Sequence, residues 1–332
     1  MSKSNKMKIL AIESTAHTFG IAIIEDKKVL INLKRAYTTE SGGIIPINAA
    51  NYHMAHKDDL LEEVLNESNT KIEDIDLLAY SAGPGLSPCL RVGRDLVKEL
   101  NEKHKIPFIE VNHCVAHLEI TKVLTGAKDP VLLYASGANT QVIAFEGGKY
   151  RIFGETLDQG IGNFLDSFAR YLGLGFPGGP KISDLADKSK NYIELPYSVK
   201  GMDISLTGML TKLKQLNDSK KYKVEDLAYS LQETAFAMLL EVSERAMAHC
   251  DKKELALGGG VACNTRLKEM SKIMCKERGA KCFIPENQFL VDNAAMIGLT
   301  ANLMHAGGHK IKKSNPEIYP YQRTDQVIVD WE

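Results

Sequence analysis

The chain has 332 residues, enough for two domains that each bury a core. Hydrophobic residues make up 44% and charged residues 25%, and the formal net charge is −1. Those values fit a globular chain and argue against a stand-alone, strongly basic nucleic-acid binder, although a local basic patch is compatible with the total. Six widely spaced cysteines without a CxxC exclude a Cys-rich zinc knuckle and point to reduced thiols rather than a disulfide framework. No apolar run approaches the ~20 residues that span a bilayer, and the first ten residues lack a long apolar leader core. A cytoplasmic chain with no membrane partner is therefore expected.

The run Lys8–Glu13, KILAIE, reads as a strand. After the polar turn Ser14, Thr15, Ala16, His17 and Thr18, the apolar run 19–24 reads as its hairpin partner. Helical periodicity over 48–66 predicts a helix with His53 and His56 on a polar face. A strand over 77–81 runs into Gly83, Pro84 and Gly85, and a helix follows over about 90–103. A short strand over 108–111 precedes a helix that carries His113 and His117. Strand (130–136), polar turn and strand (141–145) then recur, closed by Gly147-Gly148. This return half a chain later predicts an internal duplication of two α/β lobes, although hairpins are common enough to recur by chance. Leu227, Leu231, Ala235, Met238, Val242 and Ala246 mark the core stripe of a helix over 225–248. Leu255, Ala256 and Leu257 form a strand that enters Gly258, Gly259 and Gly260, and a helix starts near Asn264. Asp292 opens a last apolar helix that runs through Met304. The tail beyond Gly308 is basic, then irregular.

His113 and His117 stand four residues apart, so on a helix both imidazoles project from one face and can converge on a metal. A pair of half-buried structural histidines has the same spacing. Cys114 stands where HExxH proteases carry their glutamate, so a metallopeptidase of that class would lack its general base. His305 and His309 share the spacing, but Gly307-Gly308 argues against a helix there. The glycine turns at 83–85, 178–180 and 258–260 are expected to follow strands. Glycine at such a turn lets backbone amides approach a phosphate, with a helix N-terminus adding favourable dipole. Three in one chain favour a nucleotide or phosphate ligand. GxxxxGK[ST] and GxGxxG are both absent, which excludes a P-loop and argues against a dinucleotide site. Asp166 and Asn264, beside such turns, fit either a ribose or base contact or a helix cap.

Seven stretches, in order, resemble one family: ILAIESTAHTFGIAII (9–24), SAGPGLSPCLRVG (81–93), VNHCVAHLEI (111–120), LLYASGANTQV (132–142), GNFLDSFARYLGLGFPGGPKISDLA (162–186), LALGGGVACNTRL (255–267) and DNAAMIG (292–298). It is the family of the catalytic subunit of the archaeal and eukaryotic KEOPS complex, whose bacterial counterpart is TsaD. The end, RTDQVIVDWE, is also similar to that family's terminus. The resemblance implies an α/β fold of two duplicated actin-like (ASKHA, RNase H-like) lobes with an active-site cleft between them. The N-terminal lobe would span 1–127, with 295–332 packing back on it, and the C-terminal lobe 128–294. The implied reaction transfers a threonylcarbamoyl group from threonylcarbamoyl-AMP to N6 of the adenosine 3′ of the anticodon, in tRNAs reading codons that begin with A.

Carried over position by position, the resemblance places metal ligands on His113, His117, Tyr134 and Asp292. It places a substrate-binding loop on Tyr134, Ala135, Ser136, Gly137 and Ala138, and nucleotide contacts on Asp166, Gly179 and Asn264. Ser183 stands where archaeal members often have an acidic residue, with Asp184 as a neighbouring candidate. The family's HPREAA segment reads Ile45-Pro46-Ile47-Asn48-Ala49-Ala50, so any RNA contact made by its basic residue does not carry over.

Two imidazoles, a phenolate and a carboxylate suit iron or zinc, with Fe(2+) expected over Zn(2+). The donor is an activated mixed anhydride, so no enzyme nucleophile is required; the metal is expected to act as a Lewis acid and to orient the donor. Glu13 and His17 are the candidate catalytic residues. Glu13 stands where actin-like kinases place a magnesium-binding Asp; a strand-end carboxylate capping the next turn is the alternative. Lys212, Lys214, Lys220, Lys221, Lys223, Lys310, Lys312, Lys313 and Arg323 are the cations available to RNA phosphates, although lysine runs are commonly solvated faces. The implied partners are tRNA and KEOPS-type subunits, among them a small dimerising subunit and a small atypical kinase that some archaea fuse to this protein. No kinase domain is expected within these 332 residues. An actin-like ATPase or phosphotransferase is the competing reading; a metallopeptidase and a non-catalytic scaffold are further alternatives.

Overall fold

The computed structural model describes residues 6–40 and 43–331. Residues 1–5, part of the stretch read for a leader, and Glu332, the last residue of RTDQVIVDWE, lie outside the described residues. The chain divides into two compact units. One comprises Met1–Tyr37, Ile44–Leu124 and Asp292–Glu332; the other comprises Thr38–Gly43 and Thr125–Val291.

The first unit runs β1 (Lys8–Glu13), β2 (Thr18–Glu25), β3 (Lys28–Ala36), α1 (Pro46–Glu67), β4 (Leu77–Gly83), α2 (Ser87–His104), β5 (Phe108–Asn112) and α3 (His113–Thr125). Its sheet has the order β3-β2-β1-β4-β5, antiparallel through the two hairpins and parallel from β1 to β4 and from β4 to β5. Successive strand residues face opposite ways. Leu10, Ile12, Phe19, Ile21 and Ile23 therefore share one face, where they form a core with Leu60 and Val64 of α1 and Val92 and Leu96 of α2. His53, expected on a polar face, is fully buried against Phe19, ring centroids 5.5 Å apart. The reason is its phase: Ala49, Ala50, His53, Leu60 and Val64 are the buried residues of α1, so the ring falls on the core stripe.

The second unit runs β6 (Val131–Ala135), β7 (Thr140–Glu146), β8 (Lys149–Glu155), α4 (Ile161–Tyr171), α5 (Gly179–Ala186), a small ribbon of β9 (Val199–Lys200) and β10 (Asp203–Ile204), α6 (Thr207–Asp218), α7 (Val224–His249), β11 (Glu254–Gly258), α8 (Thr265–Glu277), β12 (Lys281–Phe283) and α9 (Asn287–Leu290). Its sheet order is β12-β11-β6-β7-β8. Strands β6, β7, β8, β11 and β12 take the places of β1, β2, β3, β4 and β5, with the same pairing directions. The duplication is therefore one of whole five-stranded sheets. The core stripe read on the long helix lies buried along α7.

The chain then returns to the first unit through α10 (Ala294–Ala306), which packs on β1 and β2. Asp292 does not open this helix. Asn293 caps it, its Oδ1 accepting from the Met296 N–H at 3.0 Å, which leaves the Asp292 carboxylate for another use. A Cβ on Gly298 would come within 2.4 Å of Ile24 Cγ1 and 3.0 Å of Ala11 Cβ, so glycine sets how deeply α10 seats on the sheet. Among the described residues, no helix is long and apolar enough to cross a membrane.

Candidate functional site

Parallel strands bring their carboxyl ends to one edge of a sheet. β1 ends at Glu13 and β5 at Asn112, with β4 between them. Asn112 Oδ1 accepts from the Cys114 and Val115 N–H groups at 3.0 and 3.1 Å, capping α3 as it leaves the strand. His113 and His117 then lie one turn apart on the same face, rings edge-on with centroids 4.8 Å apart. The stretch ahead of α10 supplies Asp292, whose Oδ1 lies 3.3 Å from Nε2 of both His113 and His117. Both rings are buried and the carboxylate is half-buried. Among the described residues, this is the one cluster whose donor atoms, all within 4.8 Å of one another, could hold a metal ion. Bonds of about 2.0–2.1 Å in a tetrahedral site put neighbouring donors about 3.4 Å apart. The His–Asp separations match that edge, so the residues present fit a divalent iron or zinc ion.

Glu13 is fully buried beside this cluster. Its Oε1 accepts from the Thr15 N–H at 2.7 Å and from the Thr15 hydroxyl at 2.5 Å. Its Oε2 lies 3.1 Å from His113 Nδ1, and Thr15 Oγ1 lies 3.2 Å from the same nitrogen. Burial would lower the basicity of His113, but the Glu13 and Asp292 carboxylates outweigh it and hold its pKa well above the ordinary histidine value. Burial keeps His117 below that value, opposed only in part by Asp292. Burial would raise Asp292; the two histidines overcome it and hold its carboxyl well below the usual carboxylate range. His17 lies in the same turn as Thr15, half-buried, with its carbonyl accepting from the Tyr37 N–H at 2.8 Å. Its ring is not part of the donor cluster.

The second unit gathers the other expected site residues. Tyr134 and Ala135 are buried at the end of β6, and Gly137 and Ala138 are exposed beyond them. The Ser136 and Gly137 carbonyls accept from the Gly162 and Asn163 N–H groups at 3.0 and 2.9 Å, and Thr140 Oγ1 accepts from the Ile161 N–H at 2.7 Å. The loop therefore seats on α4 and takes up the amides of its first turn. Gly259, at φ +89°, closes on the other side, where a Cβ would come 2.4 Å from the Ala135 carbonyl oxygen. Asp166 of α4 accepts from the Gly178 N–H at 2.7 Å, which orients the start of α5 and Gly179. Asn264 Nδ2 donates to Ser183 Oγ of α5 at 3.2 Å and to Gln232 Oε1 of α7 at 2.5 Å. Its Oδ1 caps α8 by accepting from the Leu267 N–H at 3.1 Å.

Ser136, Asp166, Gly179, Ser183 and Asn264 are thus linked through one ring of contacts inside the second unit. Asn264 caps α8, while Asp166 lies inside α4 and accepts from the Gly178 N–H ahead of α5. Gly178 and Gly179 do not follow a strand as expected; the apolar residues before them, Phe164, Leu165, Phe168 and Ala169, are the buried face of α4. Asp184 is exposed on α5. Gln232 was not singled out by any motif; its only signal is an amide beside the apolar stripe of α7, where it is buried. Of the candidate RNA-facing cations, Lys212, Lys220, Lys221, Lys223, Lys310, Lys313 and Arg323 are exposed. Lys312 is paired with Glu110 at 2.7 Å and Lys214 lies 5.3 Å above the Tyr171 ring.

The sequence family described as "TsaD: tRNA N6-adenosine threonylcarbamoyltransferase" matches residues 28–299. A relative from Thermococcus kodakarensis, named "tRNA N6-adenosine threonylcarbamoyltransferase", is 53% identical over 98% of this chain and 100% of its own length. A Methanosarcina mazei relative, named "Probable bifunctional tRNA threonylcarbamoyladenosine biosynthesis protein", is 48% identical over 98% of this chain and 60% of its own length. Among solved structures, HypF of T. kodakarensis is similar with a TM-score of 0.65 at 13% identity, covering 91% of this chain and 48% of that one. The activator of the 2-hydroxyisocaproyl-CoA dehydratase from Clostridium difficile is similar with a TM-score of 0.56 at 12% identity, covering 89% of this chain and 94% of that one. At such identities the likeness establishes a shared actin-like fold and nothing of activity.

Proposed function

Because the chain belongs to the TsaD family of tRNA N6-adenosine threonylcarbamoyltransferases, we propose that it transfers the threonylcarbamoyl group of threonylcarbamoyl-AMP to N6 of the adenosine 3′ of the anticodon, in tRNAs that read codons beginning with A. The observation that carries the reading is the convergence of His113 Nε2 and His117 Nε2 on Asp292 Oδ1, each at 3.3 Å. That is a buried nitrogen-and-oxygen donor set for a transition metal, and not the glycine-loop lysine of P-loop phosphate transfer.

His113, His117 and Asp292 would hold one divalent ion, Fe(2+) in preference to Zn(2+), and Tyr134 enters as a fourth donor through the family resemblance alone. When bound, the metal supplies Lewis-acid polarisation of the donor's carbonyl or phosphate oxygens. The loop of Ser136, Gly137 and Ala138, with Gly137 and Ala138 exposed, meets the donor, and Asp166, Gly179, Ser183 and Asn264 hold its nucleotide part. The N6 amine attacks the carbonyl of the mixed anhydride. AMP departs with the electron pair of the broken C–O bond, and the amine gives up a proton. No side-chain nucleophile is needed, and binding in the right orientation is the protein's main contribution.

The partners in this reading are tRNA and KEOPS-type subunits, including a small dimerising subunit and an atypical kinase; the bifunctional Methanosarcina mazei relative supports a fused second activity. Exposed Lys212, Lys220, Lys221, Lys223, Lys310, Lys313 and Arg323 are the proposed phosphate contacts, and the cytoplasm is the proposed compartment. The test is transfer of labelled threonine to unmodified tRNA, given bicarbonate, ATP, the synthase that makes the donor, and the partner subunits. This chain labels the tRNA if the proposal holds. It fails if the tRNA stays unlabelled while the T. kodakarensis relative labels it in the same mixture.

A further inference from the structure

We infer that Glu13 is a positioning residue of the metal centre, one that selects which ring nitrogen of His113 faces the ion. The inference rests on the reading that His113, His117 and Asp292 hold a divalent transition metal. Glu13 ends β1 with both carboxylate oxygens engaged inside the protein: Oε1 by the Thr15 N–H and hydroxyl at 2.7 and 2.5 Å, and Oε2 by His113 Nδ1 at 3.1 Å.

The hydrogens can be placed by elimination. A hydroxyl has one proton, and Thr15 gives its own to Glu13 Oε1. Toward His113 Nδ1, 3.2 Å away, Thr15 Oγ1 therefore offers only a lone pair. Glu13 Oε2 is an acceptor as well. Two acceptors flank Nδ1, so Nδ1 carries the proton. A histidine that binds a metal does so as the neutral ring, and a neutral imidazole has one N–H, which leaves the lone pair on Nε2, the atom that shares Asp292 Oδ1 with His117 at 3.3 Å. A carboxylate behind a ligating histidine fixes its tautomer and direction in this way. The same geometry speaks against the magnesium role that Glu13's place in an actin-like kinase would imply. Its carboxylate is fully buried, and both oxygens are bonded to the protein.

Glu13 also caps the turn after β1 through the Thr15 N–H, so the two roles must be separated. Glu13→Gln separates them. Its amide oxygen still accepts from the Thr15 N–H, which can only donate. Its NH2 then faces His113 Nδ1, donor against donor, and drives the ring toward the tautomer with the proton on Nε2. The metal-stripped full chain is titrated with Co(II) alone, against a chromophoric chelator, while the visible absorption of the bound ion is recorded. For Glu13→Gln, Co(II) affinity is expected to fall about 10- to 100-fold, with an altered spectrum; the metal-free protein also loses stability with the Glu13–His113 pairing, so affinity and spectrum, not the thermal midpoint, decide. Should that variant not fold, Glu13→Asp, which keeps the charge but stops short of His113, carries the test and is expected to weaken Co(II) binding in the same direction. Wild-type affinity and spectrum in whichever of these variants folds would overturn the inference, as would a loss of metal-free stability with affinity unchanged. His113→Ala is the separate control: if it binds Co(II) as tightly as the wild type, the metal reading itself fails, whatever Glu13 does.

Discussion

Asp292 Oδ1 lies 3.3 Å from His117 Nε2, although 175 residues separate the two in the chain. Asn293, not Asp292, caps α10, so the carboxylate can be removed without uncapping the helix. Asp292→Ala should therefore weaken divalent-metal binding by more than the roughly 10- to 100-fold typical of a residue behind a ligand. The metal-free protein should lose stability as well, because buried His113 and His117 lose their carboxylate partner, but α10 keeps its Asn293 cap. A competition titration with a chelator, paired with thermal unfolding of the stripped protein, measures both.

Metal removal should destabilise the first unit selectively. A ligand that binds only the folded state adds about 2.7 kcal/mol at a free concentration 100 times its dissociation constant. The chain's single tryptophan, Trp331, sits in this unit with its Nε1 donating to Glu119 at 2.9 Å, so its fluorescence follows the relevant transition. Chelation should lower that midpoint and re-addition of metal restore it. The His113→Ala/His117→Ala variant should show no shift in either step.

His53 gives a pH dependence of definite sign. Burial pushes its pKa from the ordinary 6.5 down to about 4, opposed only in part by the His17 backbone and the Glu13 charge. Between those values the unfolded chain binds a proton that the folded chain refuses. Stability from the neutral ring is complete above pH 6.5 and falls as the pH drops toward 4, by about 3 kcal/mol over that window. Denaturant titrations of the wild type and His53→Met should diverge in slope against pH across it, the wild type losing more stability. Parallel profiles would mean that burial does not hold the ring neutral.

Gly298 and Ile24 set the seat of α10. A Cβ at 298 would lie 2.4 Å from Ile24 Cγ1. Gly298→Ala should destabilise the protein by about 1–3 kcal/mol, the usual range for overpacking a core, and should weaken metal binding by displacing Asp292. Ile24→Ala opens room at that contact, so the double variant should bind metal more tightly than Gly298→Ala alone. Equilibrium unfolding and metal titration of the three variants check this.

The strands with long apolar runs, β1, β2, β4, β6 and β11, are legible in the sequence because burial demands that composition. β3 and β8 are not. Each is an edge strand, half-exposed and charged, KVLINLKRA and KYRIFGE, so the hairpins read as two strands when each is a three-stranded meander. α4, α5 and α6 also escaped notice, hidden among glycines, prolines and polar residues. In the site, the His113 and His117 spacing is local and could be read directly. Asp292 and Tyr134 came only from family resemblance, because no periodicity connects residue 117 to residue 292. The Glu13–His113 contact spans 100 residues and exists because the parallel pairing of β1, β4 and β5 brings their carboxyl ends to one edge. His53 sits on the core stripe of α1, and a histidine in a polar run carries no mark of which helix face it occupies.

Transfer from preformed threonylcarbamoyl-AMP, supplied without ATP or synthase, isolates the step assigned to this protein. The metal-loaded full chain, with its partner subunits and unmodified tRNA, is followed in a single turnover by nucleoside analysis. The wild type should convert the adenosine beside the anticodon, and the His113→Ala/His117→Ala variant should not, while the two bind tRNA equally. Transfer by the double variant at the wild-type rate would contradict the account. So would a wild type that leaves the donor intact yet, given ATP in a parallel mixture, hydrolyses its terminal phosphate as an actin-like ATPase does.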